Sequence, residues 1–161
     1  MTDDGTATVT PIPSTSLRLR AETAEDLVVF SAVLQDAVTI TDDMAYRPVE
    51  RRFVLMLNRF VWEEDAEGNR ESLHRIRCGL HFDGVLSVRS RDLAPTAKDH
   101  PLDLLAVHSE TLTDGSDVIY LLFAGGGAVR LEVECIDSYL SDIGEPWVCK
   151  LRPHHRDSEL A

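Results

Sequence analysis

FAGGGAVRLEVECIDSYL, residues 123–140, decides what kind of molecule this chain makes. Three consecutive glycines raise the idea of a phosphate-cradling loop. Such a loop needs its glycines to open a helix, so that backbone N–H groups and the helix dipole face the anion. The residues after Gly127 do not do this. Val129, Leu131 and Val133 alternate with Arg130, Glu132 and Glu134, which is the period of a strand, and no Lys-Ser or Lys-Thr follows. The glycines are therefore the bend of a hairpin between strands at 117–124 and 128–134, where they supply the positive φ of a tight turn. From the end of the stretch onward, Ile136, Tyr139, Leu140 and Ile143 fall at i, i+3, i+4 and i+7, with Gly144 and Pro146 beyond. That spacing predicts a short closing helix, which must pack on the sheet because so short a helix is unstable alone.

Working outward, LRLR (17–20) reads as a strand, and Thr23 as the N-cap of a helix with Glu25 and Asp26 in its first turn. Leu27, Phe30, Ser31, Leu34 and Val38 follow at helical spacing, and the helix is expected to end near Asp36. The period then changes to two. RRFVLMLNRFVWE (51–63) is apolar on both faces, as expected of a central strand. A turn at 65–69 leads to strands at 73–82, 85–91, 102–110 and 117–124. The fold class is α+β: an antiparallel up-and-down β meander, rolled or closed into a barrel, with an N-terminal helix and a short C-terminal helix. This order is similar to that of a pleckstrin-homology roll, an analogy of layout that carries no function. One domain spans 17–152, preceded by a disordered arm at 1–16 rich in Thr, Pro, Ser and Asp and followed by a frayed tail at 153–161.

Composition excludes several classes. No run approaches the ~18 apolar residues of a membrane span, and the acidic start MTDD is unlike a secretory leader. The expectation is a soluble, cytoplasmic protein. Three scattered cysteines, Cys78, Cys135 and Cys149, form neither a disulfide framework nor a zinc knuckle and read as reduced thiols. The net charge of −12 argues against a nucleic-acid partner, and no membrane partner is expected. Residues 47–91 nevertheless carry +2, with every basic residue an arginine.

The turn at FDG (82–84) decides the candidate site. A two-residue loop would put arginines on the apolar face of a hairpin between 73–82 and 85–91. A three-residue bulged loop, with Gly84 left-handed, sorts Ile76, Cys78 and Leu80 with Leu86, Val88 and Ser90. The opposite face then gathers Arg75, Arg77, Arg89 and Arg91, with Arg77 across from Arg89 and Arg75 across from Arg91. Like charges directly opposite repel. Compensation comes either from acids such as Glu63, Glu71 or Glu110, or from an anionic ligand or acidic partner, which arginine forks recognise well.

Other groupings are weaker. Arg47, Arg51 and Arg52 surround Pro48 in what reads as a turn. Cys135 would sit at a helix start, but Glu132, Glu134 and Asp137 around it oppose thiolate formation. His74, His81 and the His154–His155 pair show no metal-ligand spacing, and Phe60 and Trp62 read as core rather than base-stacking residues. No catalytic motif, cofactor site or metal site is read from the sequence.

The segments LQDA (34–37), MAYRPVERRFVLMLNRFVWE (44–63), GLHFDGVLSVRSR (79–91) and FAGGGAVRLEVECID (123–137) resemble a bacterial family, common in alphaproteobacteria, defined as a domain of unknown function. The resemblance covers about residues 17–152 and implies no activity, cofactor or catalytic residue. Three readings follow. The first is a small binding or adaptor domain holding an acidic protein through the arginine face. The second is a binder of a phosphate- or carboxylate-bearing small molecule, or an enzyme of metabolism. The third is a homo-oligomer built on an exposed apolar patch or strand edge.

Overall fold

The computed structural model describes residues 16–63, 73–93 and 100–149. The expected arm, the turn at 65–69 and the expected tail lie outside them, apart from the arm's last residue. The chain begins with β1 (Arg18–Ala21) and α1 (Ala24–Val33). Thr23 caps α1 reciprocally: its hydroxyl accepts from Asp26 N (3.1 Å), and the Asp26 carboxylate accepts from Thr23 N (3.2 Å). The helix stops at Val33, before the expected Asp36, and Asp36 N then donates to Leu104 O at 2.9 Å. Next come β2 (Val38–Thr39), a 3₁₀ turn at Thr41–Asp43, β3 (Met44–Arg47) and β4 (Arg52–Phe60). After these follow β5 (Leu73–Phe82), β6 (Val85–Arg91), β7 (Leu102–Thr111), β8 (Asp117–Phe123), β9 (Ala128–Val133) and β10 (Ser138–Cys149).

The fold is mainly β: one open antiparallel sheet with an N-terminal helix, in the order β1-β10-β5-β4-β2-β7-β8-β9-β6, with β3 paired on β4. Its two halves share one apolar core. Phe53, Leu55, Leu57, Leu80 and Phe82 from one half meet Val107, Leu121, Phe123, Leu131 and Val133 from the other, and α1 adds Leu27 and Phe30. The glycine hairpin is present as read. Phe123 N donates to Gly127 O at 2.8 Å, and Gly125 and Gly126 take φ of 88° and 96°, where a side chain would be strained.

Two expectations fail. The C-terminal helix does not form: residues 138–149 are a twelve-residue strand filling the gap between β1 and β5. Ser138, Leu140 and Asp142 point inward there and Tyr139, Ser141 and Ile143 outward, with a register shift between Ile143 and Trp147. The strand wins because it pairs its backbone on both sides, whereas a short helix has only its side chains to hold it. The second failure is the FDG hairpin. β5 pairs with β4 and β10, while β6 crosses to the far end of the sheet and pairs with β9. Neither loop register applies, because the strands are not neighbours.

An ion cluster lies inside this architecture. Arg59 sits on the inner face of β4 with its side chain fully buried, as is that of Asp142. Its Nε donates to Asp142 Oδ1 (2.8 Å) and its Nη2 to Asp142 Oδ2 (2.7 Å). Glu63 accepts from Nη1 (3.0 Å) and Nη2 (3.1 Å), and Phe60 O takes the remaining Nη1 hydrogen (2.9 Å). Asp142 Oδ2 also accepts from Leu17 N at 2.9 Å, which anchors the start of β1. Burial pulls the Arg59 pKa down, but the bonds to Asp142 and Glu63 outweigh it and the net shift is upward. Asp142→Ala should lower stability in urea unfolding by roughly 3–5 kcal/mol, because it strands a buried guanidinium. Arg59→Met/Asp142→Leu should recover most of that loss.

Candidate functional site

The structure splits the four arginines expected to share one face. On β5 the facing is as read, with Ile76, Cys78, Leu80 and Phe82 inside and Arg75, Arg77 and His81 outside. Both β5 arginines are occupied locally. The Arg75 guanidinium lies 4.1 Å from the centroid of the Phe60 ring, and Phe60 packs against Trp62 at 5.2 Å. Trp62 Nε1 donates to Gln35 O at 3.2 Å, so this aromatic pair serves the fold. Arg77 pairs with Asp43 (3.3 Å) and donates to Asn58 Oδ1 (3.3 Å).

Arg89 and Arg91 lie elsewhere, on the exposed outer face of β6, and meet a different arginine. Arg89 is directly across from Arg130 of β9, and Arg130 is across from Tyr120 of β8. The row continues to His108 of β7, whose ring stacks on Tyr120 at 6.3 Å. Arg89, Arg91, Arg130 and Tyr120 line a hollow of about 220 Å³ together with Ser90 and Ala128. The like-charge opposition expected of Arg89 is therefore real, but its partner is Arg130 rather than Arg77.

Among the described residues few negative groups answer these charges. Arg130 contacts the Glu132 carboxylate at 3.3 Å, and its pKa is raised by hydrogen bonding to Tyr120 first and to Glu132 second. Arg91 lies 3.9 Å from Asp92, both more than two-thirds exposed, so this contact is weak. Among the described residues no carboxylate pairs with Arg89.

Arg130 was not singled out in the sequence because it looks like one more outward residue of an alternating strand. Only the pairing of β6 with β9, strands separated by β7 and β8, makes it a site residue. The other groupings are accounted for within the fold. Arg47, Arg51 and Arg52 flank the β3–β4 turn as expected and pair respectively with Glu50 (3.3 Å), Glu134, and Asp83 (2.7 Å). The His81 ring packs against Tyr139 at 4.8 Å in a tilted arrangement, and burial, the largest effect on it, holds its pKa down. The hollow beside it, of about 400 Å³, holds Arg20, already paired with Glu22 (3.4 Å) and Asp137 (3.3 Å). Cys135 is exposed in a bend rather than at the helix start expected for it. Among the described residues no group of three or more His, Cys, Asp or Glu is placed to hold a metal ion. No helix among them is long and apolar enough to cross a membrane.

Residues 17–155 match the family model described as protein of unknown function (DUF2948), and the chain belongs to that family. No curated protein and no solved structure matches it.

Two outcomes test this geometry. Arg89→Gln should raise the urea midpoint by relieving the repulsion with Arg130, whereas Arg77→Met should lower it by removing the contacts to Asp43 and Asn58. Burial pushes the Cys78 thiol up to about 12. A thiol reagent at pH 8 should therefore modify exposed Cys135 in the native protein and reach Cys78 only on unfolding.

Proposed function

We propose that this is a small binding domain that holds an acidic segment of a partner protein through Arg89, Arg91 and Arg130, with Tyr120 as the floor of the contact. One observation carries the reading: Arg89 and Arg130 face each other across two paired strands, and among the described residues a single carboxylate, Glu132, pairs with either of them, in a chain of net charge −12. A fold gains nothing from such a pair, and the pair is favourable when an anion sits between the guanidinium forks. Arginines on an edge strand also discourage edge-to-edge pairing. That role needs charge on the edge, but not a second arginine opposite it on β9. Among the described residues the lining of the hollow offers no carboxylate, imidazole or thiol, which favours holding over chemistry.

The test is an NMR titration of the ¹⁵N-labelled protein with a glutamate-rich peptide and, separately, with inorganic phosphate. The peptide should shift the resonances of Arg89, Arg91, Arg130 and Tyr120, weaken as salt rises, and lose at least tenfold in affinity in Arg89→Gln/Arg91→Gln. Absence of any shift, or shifts unchanged in that variant, would overturn the reading. Saturation by phosphate alone, with no gain from the peptide, would replace it with a small-anion site.

A further inference from the structure

The curled sheet does not close, and the seam it leaves runs beside the arginines. Among the described residues β3 pairs only with β4, and β6 only with β9. Their other edges face each other. At one end the seam is stitched: Val85 N donates to Arg51 O (2.8 Å), and the Tyr46 hydroxyl donates to Val85 O (2.8 Å). Here a side chain of β3, not its backbone, reaches β6. Farther along the two edges part around a hollow of about 400 Å³, with Met44, Tyr46 and Phe53 on one wall and Val88, Ser90 and Val129 on the other.

β6 therefore has three surfaces in a row. Its inner face looks into this hollow, where the apolar side chains are joined at one end by Thr41 and Asp42, its outer face carries Arg89 and Arg91, and between them runs a backbone edge that no strand among the described residues pairs beyond Val85. Ser90 lines both hollows, so the two are separated by the thickness of the strand. A strand laid on that edge would send alternate side chains to opposite sides of the sheet. Those on the inner side would meet Val88, Val129 and Met44, and those on the outer side would meet guanidinium groups.

From this we infer that the partner binds by adding a β-strand to the open edge of β6, as an extended segment in which acidic and apolar residues alternate. Main-chain hydrogen bonds to β6 hold it, apolar side chains enter the seam, and acidic side chains reach Arg89 and Arg91. This is the strand-addition mode of recognition, in which backbone pairing supplies affinity and alternate side chains supply selectivity. It rests on the proposed acidic partner and adds the partner's conformation and sequence pattern.

The test uses the whole chain with three synthetic peptides: Glu-Val-Asp-Val-Glu-Val-Asp, the same composition in the blocked order Glu-Glu-Asp-Asp-Val-Val-Val, and the alternating peptide with every second backbone nitrogen methylated. The alternating peptide should bind at least tenfold more tightly than either control. It should also slow hydrogen exchange at backbone amides within residues 87–91. Equal binding of the alternating and blocked peptides, with shifts at Arg89 and Arg130 but no protection in β6, would overturn strand addition and leave the acidic-partner reading standing. Failure of all three to bind would overturn both.

Discussion

Arg59 is the constraint around which the rest of this fold is arranged. A guanidinium taken fully out of water loses several kcal/mol of solvation, and only complete pairing makes that tolerable. Every one of its N–H donors has a partner, and the bidentate acceptor comes from Asp142, distant by 83 positions in sequence. The pairing sets the register of β10, because a one-residue slip would turn Asp142 outward and leave the cation alone. It also reaches β1, since the same carboxylate receives Leu17 N and the Asp142 amide donates back to Leu17 O at 3.0 Å. Three strands, two of them from opposite ends of the chain, are thus fixed relative to one another by one buried charge.

That buried pair also explains what the sequence conceals. Alternation in β4 reads cleanly as Phe53, Leu55, Leu57 and then breaks at Arg59, which is as buried as the leucines before it. Leu140 and Asp142 are likewise neighbours on an inner face. Taken singly, an arginine or an aspartate marks a solvent position, so β10 loses its period of two and the helical spacing of Ile136, Tyr139, Leu140 and Ile143 stands out instead. The pair belongs inside only jointly, and a joint property is invisible to a pattern that scores residues one at a time. Local elements were legible for the opposite reason. Thr23 and Asp26 form their capping box within four residues, and Gly125 and Gly126 make their turn without help from the rest of the chain.

The candidate site was half legible for the same reason. Outward facing of Arg75, Arg77, Arg89 and Arg91 follows from alternation within β5 and β6 and needs no knowledge of neighbours. Which arginine faces which depends on strand order, and strands joined by two residues are ordinarily partners. Here they are not. Both edges of β5 are taken, one by β4 and the other by β10, so β6 has no place beside it. The failed prediction of a C-terminal helix and the failed FDG hairpin are therefore one error: once residues 138–149 are a strand on β5, the chain after Phe82 has to leave for the other half of the sheet.

The open edge of β6 follows from that displacement. A strand moved to the end of the sheet is held by one neighbour, and among the described residues no strand pairs with the other side of β6, where Val85 alone is tied to Arg51 and Tyr46. β3 faces this edge but is held on β4 through four residue pairs, and Tyr46 bridges the gap where the strands come nearest. Closing the seam would require pulling β3 off β4 or bending β6 off β9, and either move breaks existing ladder bonds to form new ones. The buried pair, by drawing β10 onto β5, thus sends β6 to the far end of the same sheet, where no second strand among the described residues pairs with it, with arginines on one side of it and a hollow of mixed polar and apolar lining on the other.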